Sequence, residues 1–258
     1  MVQGFMQHVS SLIKQSDLVI EILDARYIDK TRNYGLEKSV LAQGKQLLLV
    51  MNKADLVDDK KVLESRKAEL EKEGRGKVIF VSALEKDGMN MIRREIGIGS
   101  QKRTDPITIG IIGYPNVGKS TLINSLAGKG RGRVPTSRKA GLTRGITRVK
   151  ITDCIYLIDS PGIIPFGDEE FDLFLIESKN ANQLKDPETI AVKLIQTLGK
   201  EKIGKYYEIN EEIIKEKDEE ELLEEIAKKR NMRSKGGKGD TSKAARDVLE
   251  RYQRHEIK

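Results

Sequence analysis

The sequence predicts an α/β protein with a parallel β-sheet, followed by an all-α domain. Short apolar runs alternate with amphipathic helical patterns up to about residue 165, which is typical of a parallel sheet with helices on both faces. Several of these runs end in polar or glycine-rich segments, as strands do at a ligand-binding edge. The later periodic segments all have helical spacing. We therefore predict an α/β domain at 1–167 and a helical domain at 168–258.

The elements of the first domain alternate in type along the chain. Helices are predicted at 5–16, 31–43, 58–73 and 87–97 and directly after the glycine-rich turn at 113–120. Strands are predicted from the apolar runs DLVIEILDAR, KQLLLVM, KVIFV, ITIGIIG, GITRVKIT and CIYLID. Residues 98–106 have the composition of a linker, and the single cysteine, Cys154, is expected to be a buried thiol.

The composition excludes several classes of protein. The longest unbroken apolar runs have about five residues, whereas a membrane span needs about 20, and the first residues show no secretory signal. One cysteine cannot form an internal disulfide framework or a cysteine-rich zinc module. We therefore expect a cytoplasmic protein that does not associate with membranes.

The positive charge of the chain, +7 in total, is concentrated in two segments. Residues 131–150 contain seven Lys or Arg and no acidic residue, and the last 33 residues contain eleven Lys or Arg against four acidic residues. One such segment is most simply a solvated surface, but two favour a polyanionic partner. In the second segment a helix is predicted at 241–254, with Ala244, Ala245, Val248, Leu249 and Tyr252 facing inward and Lys243, Arg246, Arg251 and Arg254 facing largely outward.

The segment GYPNVGKS has the spacing of a phosphate-binding loop, with four residues between Gly113 and Gly118 and then Lys119 and Ser120. Glycines allow successive backbone N–H groups to point at phosphate oxygens, and the following helix N-terminus reinforces them. We expect Lys119 to face a solvent-filled crevice and to neutralise phosphate oxygens, and the Ser120 hydroxyl to bind Mg²⁺. The nucleotide contacts predicted here are Asn116, Val117, Gly118, Lys119, Ser120 and Thr121.

A guanine-reading motif, NKAD at 52–55, closes the strand KQLLLVM. The Asp55 carboxylate can accept hydrogen bonds from N1–H and the exocyclic amine of guanine, a pair that adenine does not offer. Asn52 would brace the loop, and the aliphatic stem of Lys53 would cover the ring. Downstream, the segment VSALEKDG can present the Ala83 backbone N–H to guanine O6. The predicted base-site residues are Asn52, Lys53, Ala54, Asp55, Ser82 and Ala83.

Two further segments have the pattern of switches that sense the γ-phosphate. In DSPG at 159–162, Asp159 can hold Mg²⁺ through water and the Gly162 N–H can meet the γ-phosphate. In RGIT, Thr147 can reach both Mg²⁺ and the γ-phosphate. The predicted metal ligands are thus Ser120, Thr147 and Asp159, and the predicted catalytic groups are Lys119, Thr147 and Gly162.

The base loop precedes the phosphate loop in this chain, which reverses the usual order of GTPase motifs. The reversal is compatible with one site, because the carboxyl ends of parallel strands meet at the same edge of a sheet. With this order, and with the segments LVIEILDAR, GITRVKITDCIYLIDSPGI and GGKGDTSKAARDVLERYQRHEI, the chain resembles the circularly permuted ribosome-assembly GTPases of the YlqF/RbgA family. It departs from them in two places: DARYIDKTRN lacks the usual proline, and RGIT replaces PGIT.

The resemblance implies a monomeric GTP-hydrolysing switch that binds GTP or GDP with Mg²⁺ and acts on rRNA and a precursor of the large ribosomal subunit. Position 163 is Ile, which cannot orient a water as Gln does in many GTPases. Hydrolysis is then either slow until a partner completes the site or catalysed through another group or ion, and the resemblance implies stimulation by ribosomal particles. Asn116 either helps to hold a stimulating K⁺ or only braces the loop.

Two alternatives remain at this level. The chain could be a nucleotide-gated RNA-binding checkpoint with negligible turnover, which single-turnover hydrolysis with and without ribosomal particles would distinguish. Permuted relatives that mature small-subunit RNA carry an N-terminal OB barrel and a zinc site, and this chain has neither the residues before 17 nor the cysteines for them. In either case the helical domain follows the second switch directly, so ordering of that switch would be transmitted to it through the chain.

Overall fold

The computed structural model describes residues 2–101, 105–127, 147–159, 169–233 and 239–257. The chain forms two compact units, Met1–Gly167 and Asp168–Lys258. In the part of the first unit that the structure describes, the strands are Leu18–Asp24 (β1), Gln46–Asn52 (β2), Lys77–Phe80 (β3), Ile107–Gly113 (β4), Thr147–Thr152 (β5) and Ile155–Asp159 (β6). The α-helices are Val2–Gln15 (α1), Ile28–Thr31 (α2), Tyr34–Ala42 (α3), Lys60–Lys72 (α4), Met89–Gln101 (α5) and Lys119–Ala127 (α6).

The six strands form one mixed sheet in the order β3-β2-β1-β4-β6-β5. The predicted α/β class and the parallel pairing are confirmed for β1 to β4 and β6, but β5 runs antiparallel to β6. A connection as short as the Asp153–Cys154 turn between these two strands allows only antiparallel pairing, since a parallel pair needs a long crossover. Cys154 is exposed in this turn, so the prediction of a buried thiol is wrong.

Two helices differ from their predicted extents. The helix predicted at 31–43 begins only at Tyr34, as α3, because Asn33 caps it, its side-chain oxygen accepting a hydrogen bond from the Leu36 N–H at 3.1 Å. The short helix α2 before it was not predicted. Helix α5 continues to Gln101, into the segment predicted as a linker.

The central strand β1 is buried along its whole length, which is the reason for its nearly continuous apolar sequence. On one face, Val19 and Leu23 pack in a core with Leu49 of β2 and Leu12 of α1. Each such side chain contributes about 1.5–3 kcal/mol when fully buried. This core fixes the sheet that carries the loops of the carboxyl edge.

The strand registers bring the ends of five strands to that edge. Asp24 of β1 lies beside Asn52 of β2, and Ile22 lies beside Gly113 of β4. Farther along the sheet, Asp159 of β6 is paired with Thr147 of β5. The motifs predicted to share one ligand therefore lie at one edge, where Thr147 begins the antiparallel strand β5 and the other motifs follow parallel strands.

The described residues of the second unit are helical, as predicted. Its α-helices are Glu170–Leu175 (α7), Pro187–Leu198 (α8), Lys200–Tyr206 (α9), Glu211–Glu216 (α10), Glu219–Lys229 (α11) and Thr241–Gln253 (α12). Asp218 and Glu221 form a capping box at the start of α11, and Asp240 caps α12. Among the described residues of either unit, no helix is long and apolar enough to cross a membrane.

Helix α12 has the predicted buried face, but its basic face is partly occupied within the protein. Ala244, Ala245, Val248 and Leu249 are fully buried, and Tyr252 is half-buried. The Arg246 guanidinium donates to the Ala181 carbonyl at 3.3 Å. Arg251 donates to Asp247 and Glu256, at 3.3 and 2.7 Å. Arg246 and Arg251 are therefore half-exposed and bound to nearby acceptors, whereas Lys243 and Arg254 remain more than half exposed.

Candidate functional site

The loop between β4 and α6 has the tight backbone that its two glycines predict. Gly113 and Gly118 have φ values of +145° and +101°, a region that residues with a Cβ rarely adopt. A Cβ on Gly113 would lie 2.5 Å from the Ile22 carbonyl oxygen, and one on Gly118 would lie 2.1 Å from Nδ2 of Asn52. Both glycines are therefore required by close approach of the loop to its neighbours.

Lys119, the first residue of α6, is directed back over this loop. Its Nζ donates to the carbonyl oxygens of Gly113 at 2.9 Å and Tyr114 at 2.5 Å, and the residue is only 8% exposed. Our expectation that it faces a solvent-filled crevice is wrong. A buried ammonium needs acceptors, and the turn of the loop directs these two carbonyl groups toward it. Its charge thus lies at the phosphate loop, as phosphate binding requires.

Asn52 joins the base loop to the phosphate loop. Its Nδ2 donates to the Val117 carbonyl at 2.7 Å, and its Oδ1 accepts from the Ala83 N–H at 2.9 Å. The side chain is almost completely buried. The structure thus places a bracing contact where the sequence predicts one. It also corrects the role expected for Ala83, because the N–H predicted for guanine O6 is donated to Asn52.

The second base segment forms a closed loop shaped by Ser82. The Ser82 N–H donates to the Asp87 carbonyl at 3.1 Å, and its Oγ accepts from the Glu85 N–H at 3.2 Å. Gly88 follows with a φ of +71°. Within this loop Leu84 is 75% exposed, so an apolar side chain stands beside the predicted base site.

The remaining residues of NKAD leave β2 through an unusual turn. Lys53 has a left-handed backbone with φ of +63°, and the Ala54 N–H donates to the Val81 carbonyl at 3.1 Å. Asp55 follows in a 3₁₀ turn and is exposed. An exposed carboxylate beside the Asn52 bridge is available to read the edge of a base.

Asp24, at the end of β1, belongs to the site but was not predicted. Its fully buried carboxylate forms ion pairs with Arg26 at 2.7 Å and Lys53 at 2.9 Å. Burial alone would raise the pKa of this carboxyl, but hydrogen bonding to Arg26 and the charge of Lys53 lower it below its ordinary value. The available signal was an acidic residue at the end of an otherwise apolar central strand.

The switch residues are positioned by the sheet. Thr147 and Asp159 are direct partners across β5 and β6, and Asp159 lies beside Ile111 of β4. Ser120 and Thr121 are half-buried in the first turn of α6. Gly162, like Ile163, lies outside the described residues.

The donor chemistry of this edge fits Mg²⁺ bound together with phosphate. Hydroxyl and carboxylate oxygens of Ser120, Thr147 and Asp159 are ligands that this hard cation prefers. Among the described residues no group of three or more His, Cys, Asp or Glu could hold a metal by itself. Mg²⁺ is usually held by one or two protein oxygens together with substrate phosphates and water.

Two family models match the chain. The model of the RsgA GTPase matches residues 25–168, and a model described as 50S ribosome-binding GTPase matches residues 108–231. The first match runs from the base loop to the phosphate loop and beyond β6, so it contains the motifs in the order that this chain has.

Several curated proteins are similar along nearly all of the chain. The uncharacterized GTP-binding protein MJ1464 of Methanocaldococcus jannaschii is 35% identical over 95% of this chain and 64% of its own length. GTPase grn1 of Schizosaccharomyces pombe is 29% identical over 96% of this chain and 59% of its own length. Nuclear GTP-binding protein NUG1 of Saccharomyces cerevisiae is 30% identical over 93% of this chain and 52% of its own length. The chain thus spans about half to two thirds of the length of these relatives.

Solved structures of YlqF from T. maritima have the same fold. The GNP-bound form aligns with a TM-score of 0.64 at 23% identity, over 97% of this chain and 94% of that chain. The GDP-bound form aligns with the same TM-score at 24% identity, over 95% and 93%. The resemblance predicted from the sequence is confirmed: the chain belongs to the RsgA GTPase family and has the circularly permuted GTPase fold of YlqF.

Proposed function

We propose that this chain binds and hydrolyses GTP as a molecular switch. The observation that carries the proposal is the Asn52 side chain, which bonds the phosphate loop through Val117 and the second base loop through Ala83. A nucleotide, with a base at one end and a phosphate chain at the other, would contact both loops. The exposed Asp55 beside this bridge favours guanine as that base.

The proposed chemistry divides between binding and stabilisation of charge. Lys119 exchanges its carbonyl acceptors for phosphate oxygens, which are stronger acceptors for an ammonium. Ser120, Thr147 and Asp159 would hold Mg²⁺, which when bound neutralises charge that develops on the phosphates. Thr147 and the Gly162 N–H are proposed to contact the γ-phosphate. Because Ile163 cannot orient water, we propose slow hydrolysis that ribosomal particles stimulate.

A cation is the second proposed source of stimulation. Asn116 occupies a left-handed position of the phosphate loop, with φ of +60°. An amide oxygen at this turn could help to bind K⁺ beside the phosphates. Hydrolysis in K⁺ would then exceed hydrolysis in Na⁺ at equal ionic strength, and equal rates would refute the cation role of Asn116.

We further propose that the switch acts in ribosome assembly, on a precursor of the large subunit, as a cytoplasmic monomer that contacts rRNA. Support comes from the 50S ribosome-binding GTPase model and from the nuclear and nucleolar GTPases among the relatives. The helical unit has exposed cations for such a contact, including Arg230, Arg233, Lys243 and Arg254. The basic segment 131–150 is a second candidate.

The decisive experiment measures nucleotide binding first and turnover second. GTP and GDP should bind in preference to ATP, and ATP binding of equal affinity would refute the base assignment. Single-turnover GTP hydrolysis is then measured alone and with large-subunit precursor particles. Stimulation by about 10³–10⁵, the range for catalytic groups supplied by a partner, supports the enzyme. Negligible turnover in both samples supports the alternative of a nucleotide-gated RNA-binding checkpoint.

A further inference from the structure

Asp24 lies between the two halves of the proposed nucleotide site. It ends β1 beside Asn52 of the base loop, and Ile22, two residues earlier, lies beside Gly113 of the phosphate loop. Its carboxylate has no exposed surface. A buried charge is costly unless it is fully paired. A buried carboxylate between the two loops is therefore a candidate for a role in ligand binding.

Arg26 alone is sufficient to compensate this charge. Its Nε donates to Oδ1 of Asp24 at 2.9 Å and its Nη2 donates to Oδ2 at 2.7 Å. The Arg26 backbone N–H adds a third bond to Oδ1 at 3.1 Å. Such a two-pronged pair is among the strongest hydrogen-bonded arrangements of a carboxylate. The additional ion pair with Lys53, whose Nζ lies 2.9 Å from Oδ2, is therefore not needed for neutralisation.

Lys53 is held at both ends. Its left-handed backbone is uncommon for a residue with a side chain. Hydrogen bonds fix the chain before and after it, from the Ala25 N–H to the Asn52 carbonyl at 2.8 Å and from the Ala54 N–H to the Val81 carbonyl at 3.1 Å. The ammonium is bound to Asp24 as well, so the four-carbon stem of Lys53 is restrained at its backbone end and at its charged end.

We propose that Asp24 is a positioning residue for guanine binding, which holds the Lys53 ammonium so that the aliphatic stem forms a prearranged surface for the base. This assignment rests on the proposed function. Ordering a long side chain during binding costs about 0.5–1.5 kcal/mol. Because the ion pair orders the stem beforehand, a guanine nucleotide avoids that cost.

The test is a double-mutant cycle on the affinity of the whole chain for mant-GDP. We expect Asp24→Asn and Lys53→Met each to weaken binding by about 3–10-fold, the equivalent of that ordering cost. The double variant should bind no more weakly than either single variant, because both changes remove the same contact. Multiplying effects would overturn the assignment, since a purely structural role of Asp24 does not depend on Lys53.

Two controls separate the outcomes. Lys53→Arg retains a cation for Asp24 and should restore most of the affinity. Arg26→Gln leaves the Asp24–Lys53 pair in place and should bind mant-GDP nearly as the unmodified chain does. Lys53→Met keeps Asp24 paired with Arg26, so it tests the proposal even if Asp24→Asn does not fold, and unchanged affinity of this variant would overturn it. Absence of GDP binding by the unmodified chain would instead refute the proposed function.

Discussion

Replacing Glu21 by Gln should change how the stability of the protein depends on pH. Glu21 lies in β1 with its carboxyl fully buried, and its Oε1 accepts from the Asn33 N–H at 2.8 Å. Its Oε2 has no hydrogen-bond partner among the described residues. The nearby Glu37 carboxylate is bound by Arg32 through two hydrogen bonds of 2.5 and 2.9 Å. Burial and the Glu37 charge together raise the pKa of Glu21 to about 8.

The direction of the effect follows from this raised pKa. The folded protein favours the protonated carboxyl, so its contribution to stability is complete below the ordinary pKa of 4.5 and is lost as the pH rises through about 8. One pKa unit corresponds to about 1.4 kcal/mol, so the whole shift corresponds to about 4–5 kcal/mol as an upper limit. Gln keeps an oxygen for Asn33 and places an uncharged donor near Glu37. Glu21→Gln should therefore lose the part of the pH dependence that comes from this carboxyl. Its stability relative to the unmodified chain should be higher at pH 9 than at pH 5.

The measurement is urea unfolding followed by circular dichroism between pH 5 and 9, in the absence of nucleotide. The difference in unfolding free energy between Glu21→Gln and the unmodified chain should increase with pH by several kcal/mol, at an unchanged denaturant slope. Glu64→Gln, at an exposed position of α4, is the matched control and should follow the unmodified chain. Parallel stability curves for Glu21→Gln and the unmodified chain would refute the inference that this carboxyl is protonated in the fold.

Three other predictions concern the ligands. Asp55→Asn should weaken GTP binding by about 10–100-fold, the effect of losing a bond worth about 1.5–3 kcal/mol, and should favour xanthosine triphosphate. Competition binding measures the affinities for both nucleotides, and an unchanged preference for GTP would exclude Asp55 as the residue that reads the base. Lys119→Ala should abolish GTP hydrolysis and lower the thermal midpoint modestly, because the buried ammonium bonds two loop carbonyls; a chain that no longer melts cooperatively would indicate a mainly structural lysine. Neutralising Lys235, Lys238 and Lys243 together should weaken binding to ribosomal particles and leave GTP affinity unchanged. The slope of log affinity against log salt concentration should decrease by about 0.7–0.9 for each phosphate contact removed, and an unchanged affinity and slope would instead assign the RNA contact to residues 131–150.

Local sequence patterns were sufficient to predict the phosphate loop and the buried face of α12, because both depend on residues close together in the chain. The spacing of Gly113 and Gly118 predicts a loop that only glycine can form, and the structure shows the backbone collisions that a Cβ would cause there. The buried face of α12 follows from helical periodicity because Ala244, Ala245 and Val248 recur at three- and four-residue spacing.

The features that the sequence did not predict depend on partners distant in the chain. Lys119 is buried because of how the phosphate loop turns its carbonyl groups, and Asp24 meets Lys53 only because β1 and β2 are neighbours in the sheet. The antiparallel direction of β5 was accessible from the sequence, since the residues between GITRVKIT and CIYLID are too few for a parallel crossover. Helical periodicity likewise does not reveal the acceptors of Arg251, such as Glu256 beyond the end of the helix.

The two halves of the sheet are consecutive in the chain as well as in space. Strands β1 to β3, which carry the base loop, lie within residues 18–80, and β4 to β6 follow from residue 107. During synthesis the base-reading half therefore emerges first, with one edge of β1 unpaired until β4 is made. An unpaired edge readily accepts another strand, and a β4 from the same nascent chain is the nearest one available. Val117 follows β4, so the hydrogen bond from Asn52 to the Val117 carbonyl joins the half of the sheet that is made first to the half that is made second.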